Sequence, residues 1–377
     1  MLLLCEKVCE IKIITRAMLL LLIYSTTVFA DSNEPAGEVL VYHGTSDASA
    51  AVAVSNDTFI VADDENNILR VYKSTKSGLP EFCYDITEFL GIDPEFPEAD
   101  IEGATTIGNR IYWITSHGRN KDGKLRPNRY RFFATEVKIE NGNVGIVPVG
   151  KPYKTLVHTL VQMPVGRRLG LDKATRFDEA SLTKKERERL APKEQGLNIE
   201  GLCASADGRT IYIGFRNPLV YDKVTLRGKA IVLPLNNPQA VVEKGDKPIF
   251  GEPMLWELGG LGIRSMEYSH YHKAYFIIAG PADEGPGFAL YRWSEEKKGV
   301  PPVLVRRFSQ SDFSPEALIS FKNSSRLLLL SDDGMIPIKV RSEAECMEGE
   351  LLADGTCPNK FLTDSDKKTF RGIWLEP

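Results

Sequence analysis

Five times along the chain the same unit returns: a short polar opening, an apolar strand, a turn, a second strand rich in Ile, Tyr and Leu, and an abrupt polar end. The openings are Asp47-Ala48-Ser49-Ala50, Asp100-Ile101-Glu102-Gly103, Asn198-Ile199-Glu200-Gly201, Ser265-Met266-Glu267-Tyr268 and Ser314-Pro315-Glu316-Ala317, and the ends are Asp64, His117, Arg216, Asp283 and Asp332. Counting from opening to end gives 15 for Ser49 to Asp64 and Glu102 to His117, and 16 for Glu200 to Arg216, Glu267 to Asp283 and Glu316 to Asp332. A lone hairpin cannot bury its apolar face, whereas equal copies stacked against one another can. Third strands follow at Arg131 to Val137, Ala230 to Leu233 and Phe288 to Trp293, and fourth strands at Val303 to Val305 and Met254 to Trp256. Four-stranded sheets repeated along one chain predict an all-β fold, a β-propeller with five blades, which protects its sheet edges by radial packing. A β-sandwich with accessory helices is the rival fold, but it leaves equal hairpins with equal polar ends unexplained.

The copies are unevenly spaced, and the longest gap has a visible cause. Across about 151–196 the pattern turns helical and charged: Tyr153 to Val161 reads as one helix, and Thr183 to Glu186 forms a capping box for a second that Pro192 stops. This reads as an insertion on one blade, with room for a hidden sixth. Ring closure requires the chain ends to share a blade, so Glu38 to Tyr42 and Thr369 to Trp374 complete the sheet begun at Ser314.

Lys7, Lys12 and Arg16 precede the apolar run Met18 to Tyr24, and Val28-Phe29-Ala30 places small residues before Asp31, the pattern of a cleaved signal peptide over 1–30. The expected location is therefore secreted or periplasmic, with no stable membrane insertion after cleavage, and the mature domain is 31–377. Cys83, Cys203, Cys346 and Cys357 remain, and in an oxidising compartment a bridge from Cys346 to Cys357 would pin the polar loop between them. A formal charge of -4, with 47 basic against 51 acidic residues, argues against a protein that coats nucleic acid.

The first strand of a propeller blade lines the channel and the second runs back beside it, so each opening and end meet at one channel mouth. That gathers Glu102, Glu200, Glu267 and Glu316 with the polar ends. Two carboxylates about 4 Å apart at an effective dielectric of about 20 repel by roughly 4 kcal/mol. A bound cation, a raised pKa or arginine partners such as Arg119, Arg216 or Arg264 must relieve this. Oxygen ligands favour calcium, with magnesium or manganese after it. A further group, Arg119, Lys121, Lys124, Arg126, Arg129 and Arg131, forms a basic loop that either grips an anion or lies in solvent.

Asp100 to Gly103, Tyr112-Trp113, Ser116 to Asn120 and Asn128 to Ala134, with Asn198 to Leu202 and Gly214 to Leu219, resemble the family catalogued as domain of unknown function 3616. The resemblance implies a propeller and no particular reaction. More distantly, Glu102-Gly103 and Glu200-Gly201 resemble the calcium-dependent lactonase and phosphotriesterase propellers, where such a glutamate binds metal, and the esterase-like phytase type. The first expectation is a metal-assisted hydrolase of an ester, lactone or phosphoester acting on a small or anionic substrate. In it Glu102, Glu200 and Glu316 hold the cation, His117 or Glu267 transfers protons, and Arg216 steadies the anion. The second is a non-catalytic propeller whose mouth binds a ligand or partner. The sequence carries nothing on oligomeric state.

Overall fold

The computed structural model describes residues 39–377 apart from 141–142, 192–194, 284, 286, 297–298 and 309–312. The signal-peptide segment 1–30, the start of the first strand at Glu38 and the helix stop at Pro192 lie outside the described residues. Five antiparallel sheets form five blades. Blade I is Ala48–Ala53, Thr58–Asp63, Ile68–Lys73 and Phe82–Asp85; blade II is Ile101–Ile107, Arg110–Thr115, Phe132–Glu140 and Asn143–Tyr153. Blade III runs Asn198–Ala204, Ile211–Asn217, Gly228–Leu235 and Met254–Trp256, and blade IV runs Gly262–Ser269, Ala274–Gly280, Ala289–Trp293 and Val303–Arg307. Blade V takes Ser314–Ser320, Leu327–Asp332 and Thr369–Leu375 from the end of the chain and Leu40–His43 from its start.

Alternation along each strand explains the radial packing. In blade I, Ala50, Val52, Ile60 and Ala62 face blade II, whereas Ala51, Phe59 and Val61 face blade V. Side chains of period two thus serve both neighbours, and each interface between blades is one apolar cluster. Strands covered on both faces, such as Ala274–Gly280, are apolar throughout, while the outer strand Val303–Arg307 is largely exposed.

No sixth blade occurs among the described residues. The long gap instead holds short helices, Leu156–Gln162, Pro164–Arg168, Leu171–Thr175 and Lys184–Arg189, the last with the Thr183/Glu186 capping box. Tyr153 ends a strand rather than starting a helix, and the first helix begins at Leu156. Within blade V a two-stranded excursion, Pro337–Lys339 with Thr356–Pro358, is tied by the Cys346–Cys357 disulfide, Cα atoms 5.8 Å apart, around a small apolar cluster. No described helix is long and apolar enough to cross a membrane.

Candidate functional site

Each inner strand breaks register near its start, between Ala48 and Ala50, Ile101 and Gly103, Ile199 and Gly201, Ile263 and Ser265, and Pro315 and Ala317; in blade III the register also shifts between Asn198 and Ile199, where the facing strand skips Arg216. A bulge leaves one residue unpaired and re-aims its side chain. The five residues so released are Ser49, Glu102, Glu200, Arg264 and Glu316, and all five line one cavity of about 90 Å³. At roughly 30 Å³ per water, that is space for an ion and a few waters.

The residue after the bulge is always small: Ala50, Gly103, Gly201, Ser265 and Ala317. The reason is the neighbouring blade. A Cβ at Gly103 would lie 3.0 Å from Leu202 Cβ, and one at Gly201 would lie 2.7 Å from Ile263 Cγ2. The Glu-Gly motif therefore combines a site residue with a packing residue.

Glu267 departs from the expected ring. It pairs with Phe276 further along its strand and does not line the cavity, because the blade IV bulge falls three positions earlier, at Arg264. Asp283 moves with it, since the end equivalent to Asp64, Arg216 and Asp332 is Gly280. Glu267 accepts the Ser320 N–H at 3.4 Å, and burial pushes its pKa up to about 8.

His117 is also elsewhere. Ser116 follows the Ile101–Thr115 pair and takes the mouth position, so the histidine turns the other way. It is fully buried against Tyr130 with Nδ1 2.8 Å from Thr115 O, its Nε2 lacks a partner, and burial lowers its pKa to about 4. It is a neutral imidazole under the insertion rather than a group at the mouth.

The mouth has two unlike halves. On one side Arg264 Nη1 lies 3.0 Å from Glu200 Oε2 and 3.1 Å from Glu316 Oε1, while Arg216 Nη1 donates to Glu200 Oε1 at 2.9 Å. Asn198 Nδ2 adds a third donor to Glu200 at 2.7 Å. Burial alone would lower the Arg264 pKa, but the two carboxylates outweigh it and raise it. Glu316 reaches about 8, because burial and the Glu200 and Asp332 charges exceed the help from Arg264 and Arg216.

The other side is acidic. Asp47, Asp63 and Asp64 offer oxygens within 4.8 Å of one another, and so do Asp64, Asp100 and Glu102. Asp64 belongs to both groups, and its Oδ1 is buried without a hydrogen-bond partner. Burial and then the charges of Asp47 and Glu102 push its carboxyl well above the usual range; burial, Glu200 and Asp100 do the same to Glu102. Asp47, raised by burial and Asp332, accepts from Ser46 Oγ at 2.6 Å. A Cβ on Gly334 would overlap the Asp47 carboxylate, which accounts for that glycine. Asp63 is raised to about 6 by burial, with Arg70 partly offsetting it. Asp100, at φ 62°, is held 2.9 Å from Arg129.

Of the three glutamates expected to ligate an ion, only Glu102 falls in a carboxylate group this tight; Glu200 and Glu316 meet guanidinium instead. Asp47 and Asp100 were not assigned roles from sequence. Their one signal is that each directly precedes an inner strand. Arg264 was findable, because Arg264-Ser265 matches the released-then-small pattern and Glu267-Tyr268 does not. The basic loop is largely structural: Arg119 is buried on Gly123 O and the carbonyls of Thr175 and Arg176, Arg126 covers Phe96, and Arg129 pairs with Glu98 and Asp100.

Residues 170–321 match the family model described as "Protein of unknown function (DUF3616)". That segment contains the Glu200-Gly201 block, and the Asp100 to Ala134 block lies before it. No curated protein matches the chain. Among solved structures it is similar to the PQQ-bound aldose sugar dehydrogenase of Streptomyces coelicolor, at 9% identity over 91% of this chain and 100% of that one, with a TM-score of 0.37. It is also similar to the Myxococcus xanthus glutaminyl cyclase, at 10% identity over 78% and 88% with a TM-score of 0.38. A Bacteroides thetaiotaomicron protein of unknown function matches at 8% identity over 90% and 76%, with a TM-score of 0.37.

Proposed function

We propose that the mouth holds a hard divalent cation, calcium first and magnesium or manganese after it, in a metal-assisted hydrolase of an ester, lactone or phosphoester. The observation that carries this reading is Asp64, shared by two carboxylate groups and left with a buried oxygen that nothing satisfies. Burial first, and then the charges of neighbouring carboxylates, raise the pKa values of Asp47, Asp64 and Glu102, and a cation offsets both costs. Asp64 would hold it together with either Asp47 and Asp63 or Asp100 and Glu102, in each case an all-oxygen set suited to calcium. A cation bound there supplies Lewis acidity and a more acidic water.

The remaining roles fall to the paired half. Arg264 fixes Glu200 and Glu316 against it. Arg216 lines the cavity and has its Nε without a partner, so it retains a donor for an anionic oxygen. Glu316, near 8, replaces His117 and Glu267 as the group that gives or takes a proton at neutral pH. Export through a signal at 1–30 belongs to the same reading, because weak calcium sites suit the millimolar concentrations outside the cell.

The small volume of the cavity, about 90 Å³, favours a second reading, a cation-bearing propeller that binds a ligand or partner without chemistry. Calorimetric titration of chelator-treated protein with each cation tests the shared step. Calcium is expected to bind and raise the Tm, and Asp64→Asn, at the residue common to both sets, to abolish both effects. No response to calcium, magnesium or manganese would overturn the site. Hydrolysis of an ester, lactone and phosphoester panel by cation-loaded protein, lost in Glu316→Gln, separates the first reading from the second.

A further inference from the structure

A second cavity, about 390 Å³, lies between the helical insertion and blade II and shares no lining residue with the channel mouth. One wall is aromatic. The His158 and Phe177 rings stack with centroids 3.7 Å apart, and Tyr130 meets each at 5.6 Å. His158 Nδ1 is buried without a hydrogen-bond partner.

The charge on this cavity has one sign. Arg131 and Lys154 line it, and no carboxylate does among the described residues. Arg131 is 3% exposed and spends its donors on neutral oxygens: the carbonyls of Leu90, Gly91, Pro127 and Tyr130, and Asn128 Oδ1. A buried cation with hydrogen bonds but no counter-charge is costly. Lys154 stands beside it at the exposed rim, with no hydrogen bond or ion pair among the described residues. Desolvation and the neighbouring Arg131 hold its ammonium below the ordinary value, so an anion placed here would relieve both cations.

We propose that this cavity binds a small aromatic carboxylate, its ring on Tyr130, His158 and Phe177 and its carboxylate on Lys154 within the field of Arg131. Of the two cations lining it, Lys154 has donors to give while those of Arg131 are spent, and one free ammonium suits a monoanion better than a phosphate dianion. The volume is near the lower end of the roughly 300–1,000 Å³ usual for small-molecule pockets, which selects a single ring. The ring wall rejects a bare anion, and the unpaired ammonium favours a charged ligand over a neutral one.

Calorimetry on the chelator-treated full chain, with benzoate, benzyl alcohol and acetate as probes, tests this. Benzoate is expected to bind, with the other two weaker by about tenfold or more. Lys154→Gln, at an exposed side chain whose effect on folding the Tm would report, should reduce benzoate affinity about tenfold and leave benzyl alcohol unchanged. Glu102→Gln should leave all three unchanged, so failure here is separate from failure of the cation site. Absence of benzoate binding overturns the proposal, as does acetate or benzyl alcohol binding equally well, or benzoate binding unaltered by Lys154→Gln.

Discussion

Replacing Glu267 by Gln isolates one buried carboxyl from the crowded mouth. Burial raises its pKa from an ordinary 4.5 to about 8, with only the Ser320 N–H opposing. The folded chain therefore keeps this proton to about pH 8, while the unfolded chain releases it near 4.5. The fold binds more protons, so the contribution is full below the unfolded value and is lost as pH rises from there through about 8. At about 1.4 kcal/mol per pH unit the loss would reach roughly 5 kcal/mol, and partial contact with solvent reduces it to ~3 kcal/mol. Gln has the same shape, can still accept from Ser320, and carries no charge. The variant should match wild type at pH 5 and exceed it by ~3 kcal/mol at pH 9. Urea unfolding in chelator at pH 5, 7 and 9, followed by tryptophan fluorescence, measures the difference. A difference independent of pH, or a variant less stable at pH 9, refutes the reasoning. Calcium should leave the difference intact, since Glu267 lies off the mouth; if calcium erases it, the placement of this residue is wrong.

Two further outcomes test how the mouth is built. Arg264→Met removes one of the three donors to Glu200 and the guanidinium beside Glu316, and should cost about 1–3 kcal/mol at pH 7. Adding Glu200→Gln and Glu316→Gln should recover most of that in urea unfolding, and a triple variant as unstable as the single one would contradict the pairing. Gly201→Ala forces a Cβ to 2.7 Å from Ile263 Cγ2 and 3.1 Å from Gly214 Cα. It should cost about 1–3 kcal/mol regardless of pH, and a neutral result would show that the blades do not approach this closely.

The blades were legible because alternation and hairpin length are properties of single segments. What stayed hidden depends on where each ladder slips. In blade IV, counting from the glutamate selected Glu267, whereas the bulge selects Arg264, and the small Ser265 after it was the cue. His117 missed by one residue, enough on a strand to send a side chain to the opposite face. The acidic half was hardest to see. Asp47 belongs with Asp64 through a bridge from Asp47 to Asp332 that joins blades I and V, and Asp100 turns inward through a left-handed backbone at φ 62°. The first belongs to the closed ring, and the second is a backbone conformation that an aspartate does not announce by itself.

Closure itself reaches beyond architecture. Leu40 pairs with Gly372 and His43 with Thr369, while Tyr42 stacks on Phe370 at 5.0 Å and Tyr72 donates to His43 O. The first described strand to leave the ribosome meets Gly78 through one bridge early on, but it waits for the last strand before its ladder forms. Until then the chain carries an open sheet edge and an unfilled socket between blades I and V, and contacts this distant in sequence form slowly. Asp47 and Asp332 meet at the same seam, so the rim of the mouth closes only when the clasp fastens, although Asp64, Asp100 and Glu102 all come from blades I and II. An unfinished chain can build blades, but it cannot close the mouth.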